Sequence, residues 1–244
     1  SRIYNQKEGI DEGITPLGWT VLHELLAQDN GRRILIDTKH MSVKARREYY
    51  QMLDSHNRLT RTDRIPIVCS HTGVNGFKTM KASKKKKDKL RKMKKSDFHN
   101  WAINISDEEI EIIAGTRGLI GLMVDKGILA SRVRLEKVSE FEDPDLIKEA
   151  MLELIAQNIF QIVSAVGGKQ GWDVIAIGTD FDGSITHLDP YYEASKLPNL
   201  QKDLVSFLER RRYAESFWYG YEPEEMVRKV MQTNALDFLA RHYV

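Results

Sequence analysis

One cysteine, Cys69, in 244 residues leaves no disulfide partner within the chain, so a disulfide-stapled scaffold is excluded. Cys69 lies inside an apolar run and reads as a small core residue rather than a nucleophile. No apolar run approaches the length of about 20 residues that a membrane helix needs. No secretory leader pattern is visible at the start, which is Ser1 rather than Met. A net charge of +2 is too small to imply a polyanionic partner, so nucleic acid is not expected. None of these absences indicates a compartment, and no repeat of fixed period is present.

What the chain does contain is a set of short, Ile- and Val-rich runs that end on polar residues. Ile34-Leu35-Ile36-Asp37 leads into Thr38-Lys39-His40. Ile65-Pro66-Ile67-Val68-Cys69-Ser70 leads into His71, and Val174-Ile175-Ala176-Ile177-Gly178-Thr179 leads into Asp180. Gly118 to Val124 ends at Asp125. Runs this short and without alternation read as strands buried on both faces of a parallel sheet. In barrels of that kind, function collects where the strands end. Two imidazoles and a carboxylate at one rim are a candidate divalent-metal site.

Helical signals fill the intervals. Thr15 caps a helix with Pro16 at its first position, Ser42 caps a second, and Ser106 with Glu109 forms a capping box for a third. A long amphipathic helix is predicted from about Pro144 to Val166, stopped by Gly167-Gly168, with two more around Gln201 to Arg211 and from Pro223 onward. The order α-β-α-β-α-β-α-β-α-α argues for an α/β fold with parallel strands and right-handed crossovers. Four strands cannot close a (β/α)8 barrel, which needs eight. The expectation is an open sheet, or the second half of a barrel whose first half lies outside this sequence.

At His40, His71 and Asp180 the chain resembles the membrane dipeptidase (renal dipeptidase-like, M19) family of the amidohydrolase superfamily. Thr15-Pro16-Leu17-Gly18 is similar to that family's G-[LI]-[ST]-P-[FL]-G. Ile36-Asp37-Thr38-Lys39-His40-Met41-Ser42 resembles its I-D-x-x-H-x-S, and Ser70-His71-Thr72 its S-H-S. Gly178-Thr179-Asp180-Phe181-Asp182-Gly183 resembles its G-[TG]-D-F-D-G. Leu197-Pro198-Asn199-Leu200 and Asn234-Ala235-Leu236-Asp237-Phe238-Leu239 fit further along. The resemblance implies a metal-dependent (β/α)8 TIM barrel, with residues 1–244 supplying about its second half. It implies hydrolysis of a small peptide or related amide at a centre of two divalent ions, most readily Zn2+. His40 and His71 would bind one metal, and Asp180 would be ligand and general base.

The departures are specific. The family's strand-one His-x-Asp and its bridging Glu precede the segment that opens this chain, and no H-x-D triplet occurs here. The family's carboxylate-gripping Arg is replaced by Ile103, which cannot form a bidentate clamp. One metal ion, or none, is therefore as open as two, and a half barrel would need a second copy or the missing N-terminal half. A non-catalytic binding module is the rival reading. A lesser one is a haloacid-dehalogenase-like phosphatase using Asp180 as nucleophile and Asp182 as acid/base.

Around the predicted site, Asp37 and Asp182 are expected to support the ligands from behind. His187 and Tyr191, with Tyr192, lie in the loop after Asp180, and Trp101 stands just before Ile103; these are the substrate-contact expectations. Asp125 is balanced between a structural and a lining role. The Lys-rich stretch near residues 78–100 reads as a solvated insertion on the same rim.

Overall fold

A computed structural model describes residues 11–29, 31–60, 62–85 and 96–243. Of the Lys-rich stretch near residues 78–100, residues 86–95 lie outside the described residues.

Helix α1 spans Pro16–Leu26, with the Thr15 hydroxyl accepting from the Gly18 amide at 3.0 Å. Helix α2 spans Val43–Leu59 behind the Ser42 cap. Strand β1 is Val68–Thr72, and a short α3, Met80–Lys84, follows it. Helix α4, Asp107–Gly115, starts on the expected box of Ser106 and Glu109. Strand β2 is Leu119–Leu122. Two short helices unmarked in the sequence reading, α5 (Lys126–Leu129) and α6 (Arg132–Val138), come next. The 23-residue α7, Pro144–Val166, ends where Gly167 turns into the left-handed region at φ 75°. Strand β3 is Ile175–Ile177; α8 (Leu197–Arg210), α9 (Pro223–Arg228), a π-turn over Lys229–Thr233 and α10 (Asn234–His242) complete the chain.

The sheet has the order β1-β2-β3, parallel throughout, with Val68 opposite Leu119 and Ile120 opposite Ile175. The expected first strand, Ile34–Asp37, joins only through a parallel bridge between Asp37 and Val68, supported by the Thr38 amide donating to the Val68 carbonyl at 2.9 Å. It lies at the edge beside β1, and Ile34 is 57% exposed there. A segment with a neighbour on one side only makes fewer ladder bonds, which is why its strand character is thin. Among the described residues the strands form this open sheet and do not close a barrel.

Strands and helices meet in one apolar core. Ile67, Ile120 and Ile175 from the sheet, Tyr49 and Leu53 from α2, Ile110 and Ile113 from α4, and Ile155, Ile159 and Ile162 from α7 are all buried. Each buried Ile or Leu contributes about 1.5–3 kcal/mol of transfer free energy. Cys69 belongs to this core at 1% exposure. An ion pair is set into the same layer: Arg46 Nε donates to Glu109 Oε1 at 2.6 Å, with both side chains almost fully buried. The other Arg46 nitrogens donate to the Met41 and Ala102 carbonyls, and Glu109 Oε2 accepts from the Ser106 amide and hydroxyl. One guanidinium thus pins the turn after His40 to the loop that carries Trp101.

Candidate metal centre at the strand ends

The C-terminal ends of the Ile34–Asp37 segment, β1 and β3 converge because small residues let their backbones approach. A Cβ built on Gly121 or Gly178 would fall 1.8 or 1.9 Å from the Ser70 carbonyl oxygen, so only glycine fits at either position. Of the described non-glycine residues with positive φ, three belong to the predicted site: His40 at 69°, Asp180 at 54° and Asp182 at 67°. Left-handed backbone at non-glycine residues costs about 1–3 kcal/mol each and gathers at functional sites. Gly183 has a different reason for being glycine. A Cβ there would come within 2.8 Å of the Asp180 carbonyl and 2.9 Å of its carboxylate.

The result is a facing pair of imidazoles. His40 Nε2 lies 3.1 Å from His71 Nε2, with ring centroids 5.0 Å apart and planes at 56°. Asp180 Oδ2 lies 4.0 Å from His71 Nε2. Behind His71, Ser70 Oγ is 2.7 Å from Nδ1 and 2.5 Å from Asp37 Oδ2. A serine has one proton to give, and a carboxylate can only accept. Ser70 therefore donates to Asp37 and accepts from the Nδ1–H of His71, which leaves His71 Nε2 as a bare lone pair aimed at His40. Asp37 also accepts from the amides of Ser70 and Lys39, at 3.0 and 3.1 Å.

Burial pushes the His71 pKa below its ordinary value, and the nearby Lys39 pushes it further down, against the Asp180 carboxylate. Lys39 is itself 7% exposed, and its Nζ has no hydrogen-bond partner. Burial lowers its pKa, while Cys69, Asp180 and Asp37 pull it back up and Arg46 lowers it.

Two imidazole nitrogens bonded at about 2.0–2.1 Å in a tetrahedral shell would stand about 3.3 Å apart, so the His40–His71 spacing fits two corners around one ion. Asp180 does not close the set: among the described residues no three His, Cys, Asp or Glu side chains group tightly enough to hold a metal ion. The donors present fit half of one shell and do not fit two ions.

The remaining expected residues separate. Trp101 stands 59% exposed, its ring 4.6 Å from that of His99. His187 packs 6.0 Å from Phe181, and its Nδ1 is buried without a partner. Asp182 is exposed. Tyr191 departs from expectation: it is 1% exposed and its hydroxyl donates to Asp203 at 2.7 Å, so it anchors the loop from inside while Tyr192 takes the exposed position. Asp125 proves structural, accepting from the amides of Gly127, Ile128 and Thr186 and so tying the loop after β2 to the loop after β3. Ser70 and Lys39 are the additions that sequence reasoning missed. Ser70 stood inside the S-H-S match, and Lys39 occupied an unspecified position of the other motif. A cleft of about 490 Å³ on the helical flank, lined by Arg47, Tyr50, Asp54, Arg58 and Glu108 among others, includes none of these residues.

Comparison with known proteins gives a consistent set. The family described as membrane dipeptidase (peptidase family M19) matches over residues 2–237. A solved dipeptidase AC, a metallopeptidase of family M19, superposes with a TM-score of 0.59 at 18% identity, covering 95% of this chain and 50% of that one. A Rhodobacter sphaeroides metallopeptidase, liganded with a phosphinate mimic of the dipeptide L-Ala-D-Ala, gives 0.57 at 18% identity, covering 95% of this chain and 48% of that one. The probable dipeptidase PvdM from Pseudomonas aeruginosa gives 0.53 at 19%, covering 92% and 53%. The chain thus spans about half the length of the structures it matches, and at these identities the likeness is one of fold. A search of curated proteins finds no match.

Proposed function

The chain belongs to the membrane dipeptidase family, peptidase family M19, and from that membership we propose that it is the metal-binding C-terminal half of a dipeptidase-type (β/α)8 hydrolase. The observation that carries this reading is the pair of Nε2 atoms held 3.1 Å apart at adjoining strand ends. The edges at Ile34–Asp37 and β3 are where the other barrel half would pair. No helix of the described residues is long and apolar enough to cross a membrane.

His40 and His71 would hold one divalent ion, and neutral imidazoles suit Zn2+. When bound, such an ion supplies a water of near-neutral pKa and polarises the amide carbonyl. The chain's own residues do the rest. Asp37 and Ser70 hold the His71 ring with Nδ1 protonated. Asp180 Oδ2, beside the same ring, takes the proton of the attacking water and returns it to the leaving amine. Trp101 and His187 line the mouth toward a small peptide or related amide. With Ile103 in place of the clamp, the substrate's carboxylate is not gripped from that position. Nothing in the fold favours the Asp180/Asp182 phosphatase reading.

One observation favours a second reading. The described donors stop short of a closed ligand set, as expected of a binding module that has no turnover alone. Release of amino acids from a panel of dipeptides and their amides, with and without added Zn2+, separates the two. Metal-stimulated turnover that His71→Ala abolishes supports the hydrolase. Folded protein without turnover at any zinc concentration supports the module.

A further inference from the structure

Helices α2 and α4 enclose a cleft that shares no residue with the His40–His71 pair. Its walls are two helix faces. Arg47, Tyr50, Asp54 and Arg58 recur at steps of three and four along α2, as Glu108, Ile112 and Gly115 do along α4. The Arg46–Glu109 pair ties the two helices together beside Arg47 and Glu108. Toward the far end, Arg64 Nη2 donates to the Gly115 carbonyl at 3.0 Å. The floor is apolar, made by the buried side chains of Tyr50, Ile67 and Met80. The volume of about 490 Å³ lies within the range of roughly 300–1,000 Å³ typical of small-molecule sites.

The charges around this floor do not cancel. Asp54 is held by Arg58 at 2.8 Å, and Glu108 Oε2 accepts from the Met80 amide at 2.8 Å, where it supports the start of α3. Arg64 meets only a neutral carbonyl. Arg47 is half-buried and makes no ion pair or hydrogen bond among the described residues. A guanidinium is a planar fork that matches a carboxylate with two parallel hydrogen bonds. An aromatic ring and a thioether beside it favour a flat apolar body.

We propose that this cleft binds a small aromatic monocarboxylate, its ring over the Tyr50–Met80 floor and its carboxylate on Arg47. A cation would meet the unmatched guanidinium groups of Arg47 and Arg64. A neutral ligand would cover the floor and leave Arg47 without an anion. A bare inorganic anion would satisfy Arg47 and leave the floor facing water. Only a ligand that is apolar at one end and anionic at the other answers both features.

The test is titration of the full chain with 1-naphthoate, with 1-naphthamide as its uncharged counterpart, read by calorimetry and by backbone amide NMR shifts. The proteins are the parent chain, Arg47→Gln, Ile112→Trp and the His40→Ala, His71→Ala double variant. Glutamine keeps a polar side chain without the charge, and tryptophan at position 112 fills the cleft. The expected result is 1-naphthoate binding that shifts the amides of Tyr50 and Ile112. Binding should be about tenfold or more weaker for 1-naphthamide and in Arg47→Gln, the loss of a charged hydrogen-bond pair. It should also be weakened in Ile112→Trp and unchanged in the double histidine variant. No 1-naphthoate binding at millimolar concentration would overturn the proposal. So would equal affinity for 1-naphthamide, or parent affinity in folded Arg47→Gln. Shifts confined to the strand ends and lost in the double histidine variant would place the ligand at the imidazole pair instead, and would overturn it too.

Discussion

His40 and His71 are 31 residues apart in sequence, yet their Nε2 atoms face each other at 3.1 Å. Neither ring is placed by its own element alone. His40 sits in a left-handed turn pinned through Met41 to Arg46, and His71 is held through Ser70 to Asp37. The two supports come from different layers of the fold, and each can be removed separately.

Removing the Ser70 hydroxyl frees the His71 ring to exchange tautomers. Ser70→Ala is expected to weaken divalent-metal binding by about 10–100-fold, the usual cost of losing an outer partner of a ligating histidine. Ser70→Thr should restore most of it. The 15N shifts of the His71 ring should show Nδ1–H as the main tautomer in the parent and a mixture in Ser70→Ala. Unchanged shifts would contradict the relay.

Removing one member of the buried Arg46–Glu109 pair strands the other. Glu109→Gln or Arg46→Met should lower stability by about 3–5 kcal/mol in urea unfolding. The double replacement by apolar residues of similar volume should recover much of the loss. If either single variant is as stable as the parent, the pair is not what joins α2 to α4.

Acid should destabilise the fold. His71, His99 and His242 all have pKa values held below the ordinary histidine value, with burial the largest cause in each. For a base whose folded pKa is depressed, the neutral form is favoured in the native state. The contribution is complete above the unfolded pKa of about 6.5 and is lost as pH falls through the folded values. Tm should therefore drop steadily below about pH 6.5, and more shallowly in a His99→Phe variant.

Cys69 should be inert in the native protein. Burial pushes its thiol up to about 11, and the thiolate is the reactive form. Iodoacetamide at pH 8 should leave it unmodified until urea unfolds the chain, when mass spectrometry should find one adduct. Fast native labelling would place Cys69 outside the core.

Several of these elements were legible in the sequence because their cause is local. Thr15, Ser42 and Ser106 announced helix starts, and Gly167 a helix end, through capping chemistry that acts within four residues. The strand-end positions of His40, His71 and Asp180 followed from apolar runs of the right length. The Ile34–Asp37 strand proved thinner than its composition suggests, because pairing depends on a neighbour that no local pattern encodes. Tyr191 looked like a rim residue from its loop position, but its ring turns inward, with its hydroxyl donating to the half-buried Asp203 carboxylate. Ser70 was visible as a motif letter and Lys39 as a variable one. The role of Ser70 comes from its contact with Asp37 on the neighbouring segment, and the burial of Lys39 from the packing around it, neither of which sequence spacing reports.

The two imidazoles of His40 and His71 are proposed to form one metal site. Elemental analysis of the purified chain, alongside the His40→Ala, His71→Ala double variant and after dialysis against a chelator and reloading with zinc, tests it most directly. Close to one zinc per chain is expected, removed by the chelator, restored on reloading, and absent from the double variant. No bound metal after reloading, or metal that the double variant retains, would contradict it.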